Sequence, residues 1–276
     1  MIIKKTIGII NEDLVIWRYI SLEKLVDILE SNSLYFSSLE SLWKIDPFEG
    51  YFPEPHLEAF RKLINIQFNE LEENYSKIAG VSKNSVDSFK EEFKENVSKK
   101  FKDLISSIVV NCWHINDHES EGMWKIYAES NKGIAIQTNF GSLYESINQD
   151  QKIEHVTFGK VKYIDFLDKN LSQKDYLVEG TTSTPLLKRT SYEHEKELRA
   201  FIIPSPKIRE FYANDKKSIR VSINPNILIK NIYISPFAKE SYISCIKTIC
   251  KKYNIQDNKI VASKLLTTNE RIHKLF

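Results

Sequence analysis

The chain has 276 residues, enough for one large domain or two small ones, and its 42% hydrophobic content is that of a globular protein with a buried core. With 39 basic against 37 acidic residues the net charge is only +2, so no strong field marks the chain for nucleic acid or an anionic membrane surface. The three cysteines, Cys112, Cys245 and Cys250, lack CxxC spacing and support neither a disulfide framework nor a zinc site, which points to a reducing, cytoplasmic setting; no apolar run is long enough for a signal peptide or a membrane span.

In chain order, Leu14 to Tyr19 reads as a core strand delivering Arg18 and Tyr19 at its end. Ser21 then caps a helix whose stripe is Leu22, Leu25, Val26 and Leu29, Ser31-Asn32-Ser33 stops it, and Leu34 to Ser37 forms a second short strand. The loop after it places Asp46 and Glu49 close together around Asp46-Pro47 and Glu49-Gly50 turns. From 57 to 108 the chain turns rich in Lys, Glu and Asn with apolar residues at helical spacing, a helical insertion broken at Gly80-Val81-Ser82 that acts as a cap, a lid or a partner surface. Strand character returns at 108–113, a short helical turn spans 122–128, and a strand follows the Asn131-Lys132-Gly133 turn over 133–138. Further strands are expected at 156–164, 218–223, 228–234 and 259–263, with a helix over 241–253. The expected fold is a single α+β domain, 1–276, with a mixed or antiparallel central sheet, flanking helices and the inserted helices.

Chemistry concentrates between Lys188 and Ile203. Glu193, Glu195 and Glu197 recur every second residue before Arg199 and the apolar run Ala200 to Ile203, which suggests a helix-to-strand junction. If the strand begins near Glu195, then Glu195, Glu197 and Arg199 project from one face; buried together they need outside cations such as Arg18 and Lys188, or a solvated cleft. Asp46 and Glu49 are candidates to shape the same site or to pin their loop, and Trp124 and Tyr127 either wall a ligand or pack the core. His114 and His118 are four apart, but Asn116-Asp117 argues for a loop rather than a helix, so no metal is expected there. Cys112 and His114 alternate onto one strand face, yet a lone Cys after Ile108-Val109-Val110 reads as buried and inert rather than as a nucleophile with His114 as base. No Gly-rich phosphate cradle is present.

The ordered motifs WRYI, LYFSS, DPFEG, GMWKIYA with KGIAI, and K-x-x-x-Y-x-x-E-x-E-L-R resemble a bacterial family known as domain of unknown function 2971, over almost the whole chain. Ile45 stands where that pattern has Asn, and Tyr192 where it has Trp. A second resemblance, of WRYISLEKLVDILESNSLYFSS to the opening of ADP-ribosyltransferase-like toxins, carries a mechanism. It implies that Arg18 or Tyr19 holds the ribose or phosphate on the nicotinamide side, that Tyr35, Phe36 and Ser37 shape the nicotinamide pocket, and that Glu197, or else Glu195, is the glutamate. The implied protein is an NAD-using transferase of toxin or phage-defence settings, with a small-molecule nucleotide as partner and NAD as substrate. Lys188, Arg199, Asp46, Glu49, Trp124 and Tyr127 then shape the site. Two other classes fit the same residues: a non-catalytic ligand-sensing or protein-interaction module in which the acids pair with Arg18, Lys188 and Arg199, and a metal-dependent hydrolase or nuclease built on Asp46, Glu49, Glu195 and Glu197.

Overall fold

Strand alternation assigns each side chain to one of two faces of a single sheet, and almost every large aliphatic residue of that sheet goes to the same face. In the computed structural model, which describes residues 2–75, 83–127, 132–148, 153–180, 183–205 and 218–266, the chain opens with strand β1 (Ile3–Ile7) and then β2 (Val15–Ser21). Helix α1 (Leu22–Ser31) follows directly and ends at Asn32 in the left-handed conformation, φ 47°, which reverses the chain into β3 (Ser33–Ser38). Ser38 then caps the short α2 (Leu39–Leu42), its hydroxyl accepting from Ser41 N at 3.2 Å.

The expected helical insertion is a pair of long helices, α3 (Glu54–Tyr75) and α4 (Lys83–Ser107); the Gly80-Val81-Ser82 break lies outside the described residues. After it come β4 (Val109–Ile115), α5 (Glu121–Tyr127), β5 (Gly133–Asn139) and α6 (Phe140–Ser146). The strand expected over 156–164 is two strands, β6 (His155–Lys160) and β7 (Lys162–Ile164), which belong to different sheets. The main ladder stops at Val161: its N–H still bonds to Glu197 O at 2.9 Å, but the Glu197 N–H donates to the Tyr163 hydroxyl at 2.8 Å instead of returning to Val161. Past α7 (Gln173–Tyr176), β8 (Leu187–Arg189) pairs with β7, and β9 (Glu197–Ile202) is buried along its whole length. The remainder is β10 (Ser218–Ser222), a helical turn α8 (Pro225–Leu228) where a strand was expected to start, β11 (Asn231–Ile234), α9 (Glu240–Lys252) and β12 (Ile260–Ala262). Pro225 at the first helical position explains that turn, because its fixed φ suits a helix start and it offers no N–H to a ladder.

The result is an α+β domain around a ten-stranded mixed sheet among the described residues. Ile16 and Ile20 of β2, Leu34 and Phe36 of β3, Val109 and Trp113 of β4, and Leu198, Ala200 and Ile202 of β9 all face one way, into a core closed by α1, α6 and α9. The opposite face carries the alternate residues, Trp17 and Tyr19 of β2, Cys112 and His114 of β4, Glu197 and Arg199 of β9.

One departure from a continuous ladder positions the site. Strand β4 pairs with β9 from Val109 to His114 on one side. On its other side its start takes β3, with Val110 opposite Ser37, and its end takes β2, with Trp17 opposite His114. Residues 111–113 fall between these two registers, so the sheet forks there. Asn111 spans the fork with its side chain, donating from Nδ2 to Tyr35 O at 2.9 Å and accepting from Trp113 Nε1 at 2.7 Å. A backbone carbonyl left unpaired by the fork is thereby satisfied.

Candidate functional site

A cavity of about 430 Å³ opens at this fork. That volume lies within the roughly 300–1,000 Å³ range of small-molecule pockets. Its floor is a cluster of buried charges delivered by three separate segments. Glu197 and Arg199 come from β9 with the two-residue spacing expected, and Arg199 is fully buried. Its Nε donates to Glu197 Oε2 at 2.6 Å, and its Nη1 and Nη2 grip Glu49 in a two-pronged pair, both at 2.8 Å. Glu49 arrives from the loop after α2. Asp46 Oδ1 accepts from Phe48 N at 3.1 Å, Trp43 Nε1 donates to Glu49 O at 2.9 Å, and Gly50 turns the chain at φ 78°. A Cβ on Gly50 would lie 2.6 Å from Leu39 and 2.7 Å from Ile105, so both its conformation and its space demand glycine.

Lys188, the third contributor, stands on β8. Its Nζ donates to Glu195 and to Glu197 Oε1, the latter at 2.6 Å, and lies 3.5 Å from Glu49 Oε1. Strand β8 is held against the main sheet where Leu186 presses on β6, and Gly159 is required there because a Cβ would lie 2.3 Å from Leu186 Cδ1.

Glu195 is not on the strand. It ends a 3-10 turn, Thr190–Glu195, and Lys196 follows in the left-handed conformation at φ 41° before β9 starts at Glu197. The junction is therefore as expected, but the strand begins two residues later than the alternation suggests. It is the left-handed Lys196, not a shared strand face, that turns both carboxyls toward Lys188. Tyr127, at the end of α5, donates to Glu195 Oε1 at 2.6 Å.

These environments separate the two glutamates. Burial raises the Glu195 carboxyl to about 7, helped by its hydrogen bond to Glu197 and that group's charge and opposed by Lys188. Burial also pushes Glu197 upward, but Arg199, the bond from Glu195 and Lys188 outweigh it and hold Glu197 well below the usual carboxylate range. Of a hydrogen-bonded carboxyl pair, one member keeps a proton near neutrality and the other does not, which is the arrangement of an acid and a base. Burial raises the Tyr127 and Tyr163 hydroxyls, and it takes the Cys112 thiol to about 12, so Cys112 is inert as expected.

At the throat of the cavity the picture changes. No described residue gives the Arg18 guanidinium a hydrogen bond or an ion pair; its Nη1 is buried and bare, and the Trp113 ring lies 5.7 Å from the guanidinium carbon. Burial lowers its pKa to about 10, which leaves it charged at neutral pH. A buried donor without a partner costs about 1–3 kcal/mol. His114, on the neighbouring strand, also has a bare buried atom, Nε2. Asp46 and Arg189 lie 2.7 Å apart as an ion pair, but not aligned as a hydrogen bond, since Arg189 Nε and Asp46 Oδ2 are otherwise unpartnered.

Of the residues singled out in the sequence, Arg18, Tyr19, Tyr35, Ser37, Asp46, Glu49, Tyr127, Lys188, Glu195, Glu197 and Arg199 all line this one cavity. Trp124 does not. It is fully buried beneath the site with Trp17, Tyr19 and Met123, and its Nε1 donates to Glu119 Oε2 at 3.1 Å, so it is core packing. His114, weighed in the sequence only as a metal ligand or as a base for Cys112, and Tyr192, noted there only as standing where the family pattern has Trp, also line the cavity. His114 shares the Cys112 face, as alternation implied, and only the pairing of β4 with β2 shows that this face is a pocket wall.

Residues 123–200 match the family model of DUF2971, a protein family of unknown function. The family resemblance holds over that stretch. It runs from α5 into β9 and so contains Met123, Tyr127, Lys188, Tyr192, Glu195, Glu197 and Arg199, seven of the residues at the cavity. No curated protein and no solved structure matches the chain.

Proposed function

We propose that the protein is an NAD-consuming enzyme of the ADP-ribosyltransferase kind, acting as an effector in toxin or phage-defence settings. The observation that carries this reading is that one cavity holds an unpaired guanidinium, Arg18, together with two carboxyls, Glu195 and Glu197, that share the Lys188 ammonium. A dinucleotide with a diphosphate and a cleavable glycosidic bond is complementary to both. Arg18 meets a phosphate oxygen, and Tyr35 and Ser37 on the other arm of the fork border the nicotinamide side.

The bond that breaks is the one between the ribose carbon and the nicotinamide nitrogen, and its electron pair leaves with neutral nicotinamide. Positive charge develops on the ribose, and the carboxyl pair is placed to stabilise it electrostatically. The incoming water or acceptor hydroxyl forms the new bond at the ribose carbon and gives up its proton, for which Glu195 in its ionised fraction is the nearby base. The metal-dependent alternative fits less well. Lys188 Nζ lies within 3.5 Å of carboxylate oxygens of Glu49, Glu195 and Glu197, and so fills the place a divalent cation would take among them. Among the described residues no group of three or more acidic, His or Cys side chains is arranged to hold a metal.

The test is nicotinamide release from NAD by the purified protein. Turnover is expected, with a loss of at least about 100-fold in Glu197→Gln, the size of a removed electrostatic stabiliser. No release by the native protein, or equal release by Glu197→Gln and Glu195→Gln, overturns the reading. NAD binding by calorimetry without turnover favours the ligand-sensing module instead.

A further inference from the structure

The two bare atoms at the throat of the cavity differ in kind. His114 Nδ1 lies 2.6 Å from Glu195 O, and a carbonyl oxygen only accepts, so Nδ1 carries the hydrogen and donates it. Desolvation by burial lowers the ring's pKa, with Lys196 and His194 adding to the effect against the Glu195 carbonyl and Glu197, so the imidazole is neutral at physiological pH. Its Nε2 is therefore a lone pair, buried and without a partner. Arg18 Nη1 is the opposite, a bare donor on a cation. The two flank the fork from opposite faces of the sheet: Trp17, the ladder partner of His114, shares its face, Arg18 follows Trp17 onto the face of Ile16 and Trp113, and both side chains line the one cavity. A hydroxyl satisfies the first atom and an anionic oxygen the second. A carboxylate alone leaves His114 bare, and a neutral sugar leaves Arg18 bare.

We propose that His114 is a substrate-binding residue whose Nε2 accepts a hydrogen bond from a ribose hydroxyl, while Arg18 holds a phosphate oxygen of the same sugar phosphate. This names the part of the substrate that the fork reads, and it rests on the transfer reading only for the identity of the whole substrate. A sugar phosphate recognised in this way comes either free or within a dinucleotide. Ribose 5-phosphate, ADP-ribose and NAD separate the two sources.

The experiment is calorimetry of ribose 5-phosphate and of its 2-deoxy and 3-deoxy forms, on the native protein and on His114→Asn, His114→Gln and Arg18→Met, with ADP-ribose and NAD as the dinucleotide arm. Asn keeps a donor for the Glu195 carbonyl but lacks the distal acceptor, whereas Gln places an amide oxygen near the position of Nε2. The native protein is expected to bind ribose 5-phosphate at least 10-fold more tightly than one of the deoxy forms. His114→Asn removes that discrimination, His114→Gln restores most of it, and Arg18→Met abolishes binding of all the phosphates. Such coupling between a side chain and a ligand hydroxyl is not produced by a purely structural role. The proposal is overturned if the native protein discriminates against neither deoxy sugar, or if folded His114→Asn discriminates as the native protein does. Nicotinamide release with an unchanged KM in His114→Asn overturns it while leaving the transfer reading standing. Ribose 5-phosphate binding that depends on His114, with no NAD turnover, supports it and removes the transfer reading alone.

Discussion

The floor and the throat of the cavity are built from the same kinds of residue and treat them in opposite ways. On the floor, Arg199, Lys188, Glu49, Glu195 and Glu197 are almost fully buried, and each charge has at least one partner of opposite sign within 3.5 Å. At the throat, Arg18 and His114 have partners on one side only or none. A fully paired buried network is structural in character, because breaking any member leaves a charge stranded. An unpaired buried group is a cost with no structural return and is complementary to something the chain itself lacks. The floor thus holds the carboxyl pair in place, and the throat is where a ligand adds its own polar atoms.

The comparison breaks most easily at Arg199. Arg199→Met strands Glu49 and Glu197 and is expected to cost about 3–5 kcal/mol, read from the midpoint of denaturant unfolding. A loss below about 1 kcal/mol would mean that the floor is not a structural network. Next comes the pH dependence of stability. A carboxyl raised from 4.5 to about 7 holds its proton more tightly in the native chain than in the unfolded one. Its contribution is therefore fully favourable below pH 4.5 and declines as pH rises to 7. Glu197, shifted downward, works the other way, its contribution being lost only as pH falls through its depressed value. Glu195→Gln should remove the decline between pH 4.5 and 7, a difference of roughly 1–3 kcal/mol visible in melting temperature against pH, and an unaltered pH profile would contradict the assignment.

Arg18→Met sharpens the contrast from the throat side. Replacing a bare buried donor by an apolar chain of similar length should leave stability unchanged or raise it by up to about 1 kcal/mol, while ligand binding is lost. Destabilisation comparable to that of Arg199→Met would place Arg18 in the structural network. The smallest effect is expected at Lys196, where the left-handed backbone at φ 41° is strained for a residue with a Cβ; Lys196→Gly should stabilise by about 0.5 kcal/mol. Lys196→Pro, which cannot adopt a positive φ, should separate Glu195 from Glu197 and abolish the pH effect.

Much of this was legible locally. Of the stripe Leu22, Leu25, Val26 and Leu29, Leu25 and Leu29 are buried, joined by Ile28, while Leu22 and Val26 are half-buried, and period-two spacing put Glu197 beside Arg199. The unexpected elements have local reasons of their own. Strands β1 and β8 are short and mostly polar, IKKTI and LKR, and form because partners elsewhere in the chain complete their ladders. The start of β9 was misplaced because alternation alone does not distinguish a strand residue from a 3-10 residue followed by one left-handed turn.

The amino-acid sequence by itself determined which residues could carry chemistry and which face of each strand they occupy, since both follow from side-chain type and a period of two. Only the tertiary structure decided that these faces meet. Glu49 reaches Arg199 across 150 positions, and the fork exists because β2 and β3 claim opposite ends of one edge of β4. Long-range strand pairing leaves no mark in local composition. The same holds for the bare atoms of Arg18 and His114, because whether a polar group finds a partner depends on what the rest of the chain brings to it.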